Sequence, residues 1–229
     1  MKRAGGRDAS GHGFAELGTA TVSDALDRLG RPGALHGLAP LAEGQRFAGR
    51  AFTVRYVTAG SPPGTVGDYI DDIEPGEVAV LDNAGRTDCT VWGDILTAVA
   101  HQKGVAGTVI DGVCRDTHRA LGLGYPIYSR GRFMRTGKDR VEVSGVGVPV
   151  SVGGVQVRPG DLIVADGDGA VAVPRDAEAE VLEIATAIAE VEARILADAL
   201  GGKSIADARA AHGYHLLQRR TPTRPEERR

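Results

Sequence analysis

The chain has 229 residues, 27 Lys plus Arg against 30 Asp plus Glu, a formal net charge of −3, and 42% hydrophobic and 25% charged residues. That length suits one domain, or one domain with helical extensions, and the slightly acidic balance argues against a nucleic-acid partner. No apolar run approaches membrane-spanning length and MKRAGGRDASGHG lacks a signal-peptide core, so a cytoplasmic protein without a membrane partner is expected.

Residues 1–13, polar and glycine-rich, are expected to form a disordered arm. Residues 19–30 predict a helix: Val22, Leu26 and Leu29 share a face, Thr21 or Ser23 caps it, and Gly30 ends it. Asp24 near its start fits a helix-start carboxylate. After a Pro/Gly-punctuated loop, residues 48–58 alternate Phe52, Val54 and Tyr56 with Ala51, Thr53 and Arg55, which predicts a strand with one wetter face. Asp68, Asp71, Asp72 and Glu74 suggest a solvated helix face rather than a cation site. Residues 77–82 predict a short strand ended by Asp82–Asn83, where Asx-turn chemistry is sufficient explanation.

Residues 92–116, WGDILTAVAHQKGVAGTVIDGVCRD, carry the most chemistry. Trp92, Gly93 and Asp94 read as a loop, and Ile95, Leu96, Val99 and Ala100 fall on one side of a helix stopped by Gly104. Residues 105–110 are apolar and rich in β-branched side chains, as in a strand buried on both faces, with Asp111–Gly112 ending it. Arg115 and Asp116 follow at the mouth of the next loop. A helix start presents unpartnered N–H groups suited to a carboxylate. Arg115 offers a planar fork for carboxylate or enolate oxygens, and Asp116 is a hard oxygen ligand of the kind that holds Mg²⁺ with several waters retained. By spacing alone, a surface salt bridge is the commoner explanation of such a pair.

Residues 117–121 suggest one or two helical turns, and Tyr125 to Tyr128 begin another strand. Arg130, Arg132, Arg135, Lys138 and Arg140 form the best candidate anion patch, although one aromatic, Phe133, among them gives little support to RNA binding. Residues 141–173 contain short glycine-separated β runs that suggest an antiparallel meander, with a β-turn at residues 166–169. Residues 174–200 predict the longest helix, with a stripe of Ala177, Val181, Ile184, Ile188, Val191 and Ile195. Gly201–Gly202 breaks it, Ser204 caps a short last helix, and residues 221–229 fray. Cys89 and Cys114 fit buried thiols in a reducing compartment, and His212 and His215 lie outside zinc spacings. Dinucleotide, P-loop and serine-hydrolase motifs are absent from the sequence.

Gly104, Gly107, Val109, Asp111, Gly112, Arg115 and Asp116, together with Trp92–Gly93–Asp94, resemble the signature of the RraA-like family, and the resemblance extends from Thr19 to His215. That family includes the class II 4-hydroxy-4-methyl-2-oxoglutarate/4-carboxy-4-hydroxy-2-oxoadipate aldolases and RraA, a protein regulator of ribonuclease E. The resemblance implies an α/β fold: a single layered α/β/β/α-type catalytic domain over residues 14–200 with a long C-terminal helix. Residues 201–229 then make a helical extension and tail. It implies a homotrimer or homohexamer with the site at a subunit interface.

It also assigns roles. Asp116 would hold a divalent metal, Mg²⁺ or Mn²⁺, whose other positions are largely water, and Arg115 would contact the keto or enolate oxygen of a pyruvate-like fragment. Gly93 and Asp94 match the family's helix-start pair; the backbone amides of Ile95 and Leu96 would hold the substrate carboxylate, and Asp94 would orient a water on the metal. Glu192 is the nearest match for an acid supplied by a neighbouring subunit, with Glu190 close by in sequence. The implied reaction is retro-aldol cleavage of a 4-hydroxy-2-oxo acid to pyruvate and a carbonyl product, with oxaloacetate decarboxylation as a side activity. The four lysines, Lys2, Lys103, Lys138 and Lys203, are not placed for Schiff-base chemistry. The resemblance equally allows a regulator that binds an RNase without turnover, or a related hydroxyacid dehydratase or biosynthetic aldolase, with differences expected within residues 125–138.

Overall fold

The structure, a computed structural model, describes residues 13–214. Residues 1–12 of the expected arm, His215 and the expected frayed tail lie outside the described residues.

Helix α1 (Thr19–Arg28) buries Thr19, Val22, Ala25 and Leu26, and Gly30 closes it in the left-handed region at φ 66°. Its start departs from expectation, because neither Thr21 nor Ser23 is the cap. Gly18 is the N-cap, and the Asp166 carboxylate accepts hydrogen bonds from the Thr19 amide (2.8 Å) and hydroxyl (2.6 Å). The first orphan donor of the helix is thus satisfied from the other end of the chain.

Strands β1 (Ala39–Pro40) and β2 (Phe47–Thr58) follow. The expected wetter face of β2 is dry over most of its length: Ala51 and Thr53 are as buried as Val54, and exposure begins only at Arg55, because a second layer covers that side. A 3₁₀ turn (Asp68–Asp72) leaves the acids in solvent and buries Tyr69 and Ile70. Strand β3 (Val78–Thr90) runs on past Asp82–Asn83. The Asp82 carboxylate does accept from the Ala84 amide (3.0 Å), but this local bend, with Ala84 at φ 53°, sits within a strand whose pairing shifts register twice. The Asx chemistry makes a bulge, not an end.

Helix α2 (Asp94–Lys103) precedes strand β4 (Gly107–Cys114), which is buried throughout and continues through Asp111–Gly112. The carboxylate can lie inside a strand because both of its oxygens are engaged, by the Arg130 guanidinium and by the Gly153 amide (2.9 Å). Then come α3 (Thr117–Leu123), β5 (Ile127–Arg132), β6 (Val141–Val146), β7 (Val150–Val152), β8 (Val155–Val157), β9 (Leu162–Asp166) and β10 (Gly169–Val173). Helices α4 (Glu178–Leu200) and α5 (Ile205–Ala211) end the described chain, and the Ser204 hydroxyl caps α5 by accepting from the Asp207 amide.

The main sheet has the order β1-β5-β4-β3-β2-β9-β10, parallel from β2 to β5 and antiparallel outside them. The second edge of β2 is shared: β9 pairs with residues 47–50 and β6 with residues 54–58. The expected meander is therefore divided. β6 docks on β2, β7 and β8 form a separate hairpin, and β9 and β10 extend the main sheet, because twelve residues of β2 offer two docking sites in line.

Three cores explain the layering. Ala79, Leu81, Trp92, Ile110 and Tyr125 form one on the face carrying α2 and α3. Val78, Val80, Val109 and Tyr128 meet the β7–β8 hairpin on the other face. Leu162, Val164, Val171 and Val173 meet α1 and α4, where Val181, Ala185 and Ile188 are buried. Each Val, Leu or Ile among them contributes about 1.5–3 kcal/mol when buried. Helices α2 and α3 thus cover one face of the parallel strands, the β7–β8 hairpin covers the other, and α1 and α4 pack on β9 and β10: the mixed α/β fold that the resemblance implies, with its long C-terminal helix.

Candidate functional site

Gly93 is the N-cap of α2, in extended backbone at φ −144° and ψ −163°, and Gly104 ends that helix at φ 73°. The buried side of α2 is Thr97 and Ala100, with Leu96 and Val99 partly covered; Ile95 is 74% exposed, so it belongs to the surface rather than the expected stripe. Trp92 is the element that a reading as mere loop misses. Its buried ring stacks on Tyr125 at 6.4 Å, and its Nε1 donates to the Thr97 hydroxyl (2.9 Å), which donates to the Gly93 carbonyl (2.8 Å). The Trp92 carbonyl accepts from the Arg115 amide (3.0 Å). One residue therefore ties the start of α2 to the turn that follows β4.

That turn holds Arg115 and Asp116. Asp116 is the N-cap of α3 in the left-handed region, φ 53° and ψ 36°, a conformation costing a non-glycine residue about 1–2 kcal/mol. Strain of this kind is often kept where a side chain must be aimed. Asp116 Oδ2 lies 3.4 Å from both Arg115 Nε and the Asp94 amide. Gly93 makes this proximity possible: a Cβ there would stand 2.8 Å from Asp116 Oδ2 and 3.3 Å from Arg115 Nε. Gly93, Asp94, Arg115 and Asp116, predicted from two separate loops, thus meet at one place. Both side chains of the Arg–Asp pair keep about a third of their surface open (38% and 34%).

The substrate-binding amides are less simply arranged. Asp94 Oδ1 accepts from the Ile95 amide (2.8 Å), so a ligand carboxylate would have to displace that side chain to use it. Leu96 lines a pocket of about 370 Å³ with Gly93 and Arg115. Its opposite walls come from the loop from Gly64 to Asp68, from Thr90 at the end of β3, and from Thr136 and Lys138, the last of these a member of the basic run singled out in the sequence. Glu142 on β6 braces the loop, its Oε2 accepting from the Gly60 amide (3.0 Å) and the Gly64 amide (2.7 Å); these two bonds hold its carboxyl below the usual range.

Other candidates lie elsewhere. Glu192 on α4 is half-buried beside Asp24 of α1; burial, then the Asp24 charge, pushes its carboxyl above the usual range. It does not line the pocket of its own chain, and Glu190 is exposed. The basic run disperses: Arg130 pairs with Asp111, Arg132 donates to the Leu41 carbonyl, Arg140 to the Thr136 and Lys138 carbonyls, and Arg135 lies over Phe133. Asn83 is buried, its Nδ2 donating to the Cys89 carbonyl (3.4 Å) and its Oδ1 without a partner among the described residues. Cys89 and Cys114 are buried free thiols, both pushed upward by burial.

Among the described residues, no group of three or more His, Cys, Asp or Glu is placed to hold a metal ion. A closed nitrogen–sulfur site is therefore not built there. A lone, partly open Asp116 beside Asp94 instead fits a hard cation that keeps most of its waters. No helix among the described residues is long and apolar enough to cross a membrane.

A family model described as RraA-like: Aldolase/RraA matches residues 19–172. Protein DlpA of Legionella pneumophila is 37% identical over 199 residues, 86% of this chain; the matched stretch spans only 32% of that longer protein. A 4-hydroxy-4-methyl-2-oxoglutarate aldolase of Thermus thermophilus is 32% identical over 133 residues, 56% of this chain and 76% of the relative. The crystal structure of Streptomyces coelicolor RraAS2, described as an unusual member of the RNase ES inhibitor RraA protein family, superposes with a TM-score of 0.71 at 32% identity. It covers 81% of this chain and 93% of that one.

Proposed function

Because this chain belongs to the RraA-like family of aldolases and RraA proteins, we propose that it is a divalent-metal-dependent C–C lyase that cleaves a 4-hydroxy-2-oxo acid to pyruvate and a carbonyl product. The observation that carries this reading is the packing of Arg115 and Asp116 against Gly93, at the mouth of a pocket on the first turn of α2. Asp116 would hold the cation, Mg²⁺ or Mn²⁺, with Asp94 beside it. When bound, the cation supplies Lewis-acid stabilisation of negative charge developing on the keto oxygen.

The chain's own groups do the rest. Arg115 directs its guanidinium at the same oxygen, an electrostatic contribution usually large in such reactions. The open amide donors of α2 hold the substrate's 1-carboxylate, with the Asp94 side chain giving way at Ile95. Asp94 takes the 4-hydroxyl proton through a water as the C3–C4 bond breaks, and the proton returns to C3 of the departing fragment to make the pyruvate methyl group. Oxaloacetate loses CO₂ through the same pyruvate fragment, so decarboxylation accompanies the main activity. The reading includes a homotrimer or homohexamer, with Glu192 from an adjacent copy completing the site. The competing reading is an RNase-binding regulator, favoured by the likeness to RraAS2; retention of Gly93, Asp94, Arg115 and Asp116 supports turnover instead.

Pyruvate release from oxaloacetate and 4-hydroxy-4-methyl-2-oxoglutarate tests the proposal, with Mg²⁺ or Mn²⁺ and then with EDTA. Metal-dependent release should fall at least about a hundredfold in Asp116→Ala and in Arg115→Ala. Near-normal release by either variant, shown to be folded, would overturn the assignment.

A further inference from the structure

Trp92, Thr97 and the peptide between Gly93 and Asp94 form one hydrogen-bonded line that ends on Asp116. Trp92 and Thr97 are each 1% exposed, so neither has bulk water as an alternative partner. Trp92 Nε1 donates to Thr97 Oγ1 (2.9 Å), which donates to the Gly93 carbonyl (2.8 Å). That carbonyl also accepts from the Thr97 amide (3.1 Å), the ordinary first bond of α2. A trans peptide is planar, so turning its C=O down the helix turns the Asp94 N–H out of the helix start. There it meets Asp116 Oδ2 at 3.4 Å.

A threonine hydroxyl that merely bonds back to the preceding turn is common on helices. Thr97 differs in what stands on either side of it. Behind it, the buried indole N–H occupies the hydroxyl oxygen and leaves the hydroxyl proton for Gly93. Ahead of it, a carbonyl with two donors polarises its peptide and strengthens the N–H at the other end as a donor. That N–H and Arg115 Nε, each at 3.4 Å, tie down Asp116 Oδ2, whereas Oδ1 makes no hydrogen bond or ion pair among the described residues. The Trp92 carbonyl accepts from the Arg115 amide (3.0 Å), so the same tryptophan also anchors the backbone of the turn that carries Asp116.

We propose that Thr97, held by Trp92, is a positioning residue for the cation: it aims the Asp94 N–H at Asp116 and so sets the affinity of that carboxylate for Mg²⁺ or Mn²⁺. Thr97 is buried and does not line the pocket, so its effect passes through the Gly93–Asp94 peptide. Groups one step behind a metal ligand commonly weigh about ten- to a hundredfold in metal affinity. This rests on the reading above in that Asp116 holds the cation.

The test is Mn²⁺ binding by the full chain, followed as free Mn²⁺ by electron paramagnetic resonance, with thermal unfolding of the same samples. Thr97→Val keeps the shape and removes the hydroxyl; it should weaken Mn²⁺ binding about tenfold. Thr97→Ser should bind as the wild type does. Thr97→Val also strands the buried indole N–H, which by itself threatens the fold. The double variant Trp92→Phe/Thr97→Val removes that donor while keeping a ring against Tyr125, and it too should bind about tenfold more weakly. Wild-type affinity in either valine variant overturns the proposal, since a Thr97 that serves only the fold loses stability and not affinity. Asp116→Ala separates this inference from the reading it rests on. Binding lost there but untouched in the valine variants sinks the role of Thr97 alone. Binding that survives Asp116→Ala, or no binding by the wild type, sinks the metal site and this inference with it. The expected Mn²⁺ pattern without pyruvate release sustains the role of Thr97 and sinks the lyase.

Discussion

Gly93→Ala separates the site from the fold. Gly93 has extended backbone at φ −144°, open to any residue, so the added methyl introduces no dihedral strain. Its Cβ would stand 2.8 Å from Asp116 Oδ2, whereas an ordinary carbon–oxygen contact is about 3.3–3.6 Å, so the carboxylate must retreat by about half an ångström. The Arg115 Nε, 3.3 Å away, is pressed as well. Loss of a glycine N-cap costs about 1 kcal/mol, which in a chain of this size lowers the melting temperature by about 2–4 °C. Misplacing a reacting group by about an ångström costs about a hundredfold in rate, so a shift of half that should cost at least about tenfold in kcat/KM. Thermal unfolding and pyruvate release measured on the same sample give both quantities. Gly122→Ala is the control, since nothing lies within 4 Å of a Cβ there. Wild-type turnover by Gly93→Ala would refute the idea that the close approach exists to set Arg115 and Asp116.

Asp166→Ala should cost about 1–2 kcal/mol in urea unfolding at neutral pH, because it removes the acceptor that caps α1. Burial raises the Asp166 carboxyl, but the Thr19 hydroxyl and amide and the Asp168 amide outweigh burial and hold it below its ordinary value. Its contribution is therefore present above the unfolded carboxyl pKa and is lost as pH falls through the lower folded one, so the variant should flatten the acid limb of stability against pH. An unchanged acid limb would count against this cap. Glu142→Ala should raise KM about three- to tenfold with kcat little changed, since it frees the Gly60–Gly64 loop and leaves Arg115 in place. Equal losses in kcat and kcat/KM would instead place Glu142 in the chemistry.

Much of the site was legible because its parts are local. The 3.6-residue spacing before Gly104 and the β-branched run after it marked α2 and β4, and the Arg–Asp turn had to follow. Legibility failed where a residue's partner lay far along the chain. Asp82–Asn83 and Asp111–Gly112 look like strand ends, because short acidic and amide side chains favour turns. In the folded chain Asp82 takes the Ser151 amide and Asp111 takes Arg130 and Gly153, so both strands continue. Ile95 was assigned to the buried side from spacing, yet the sheet covers only the side bearing Thr97 and Ala100.

By itself, then, the sequence determined the α/β class, the family, and four residues of the candidate site, all of which rest on periodicity and a short motif. Tertiary structure alone decided that Asp166 caps a helix 147 residues earlier, that β2 serves two strands along one edge, and that the Gly64–Asp68 loop and Lys138 share a pocket with Arg115. The reason is physical. Helix and strand periods report which side of an element is dry, whereas the identity of the neighbour across the gap is set by sheet pairing, which carries no signal within either segment alone.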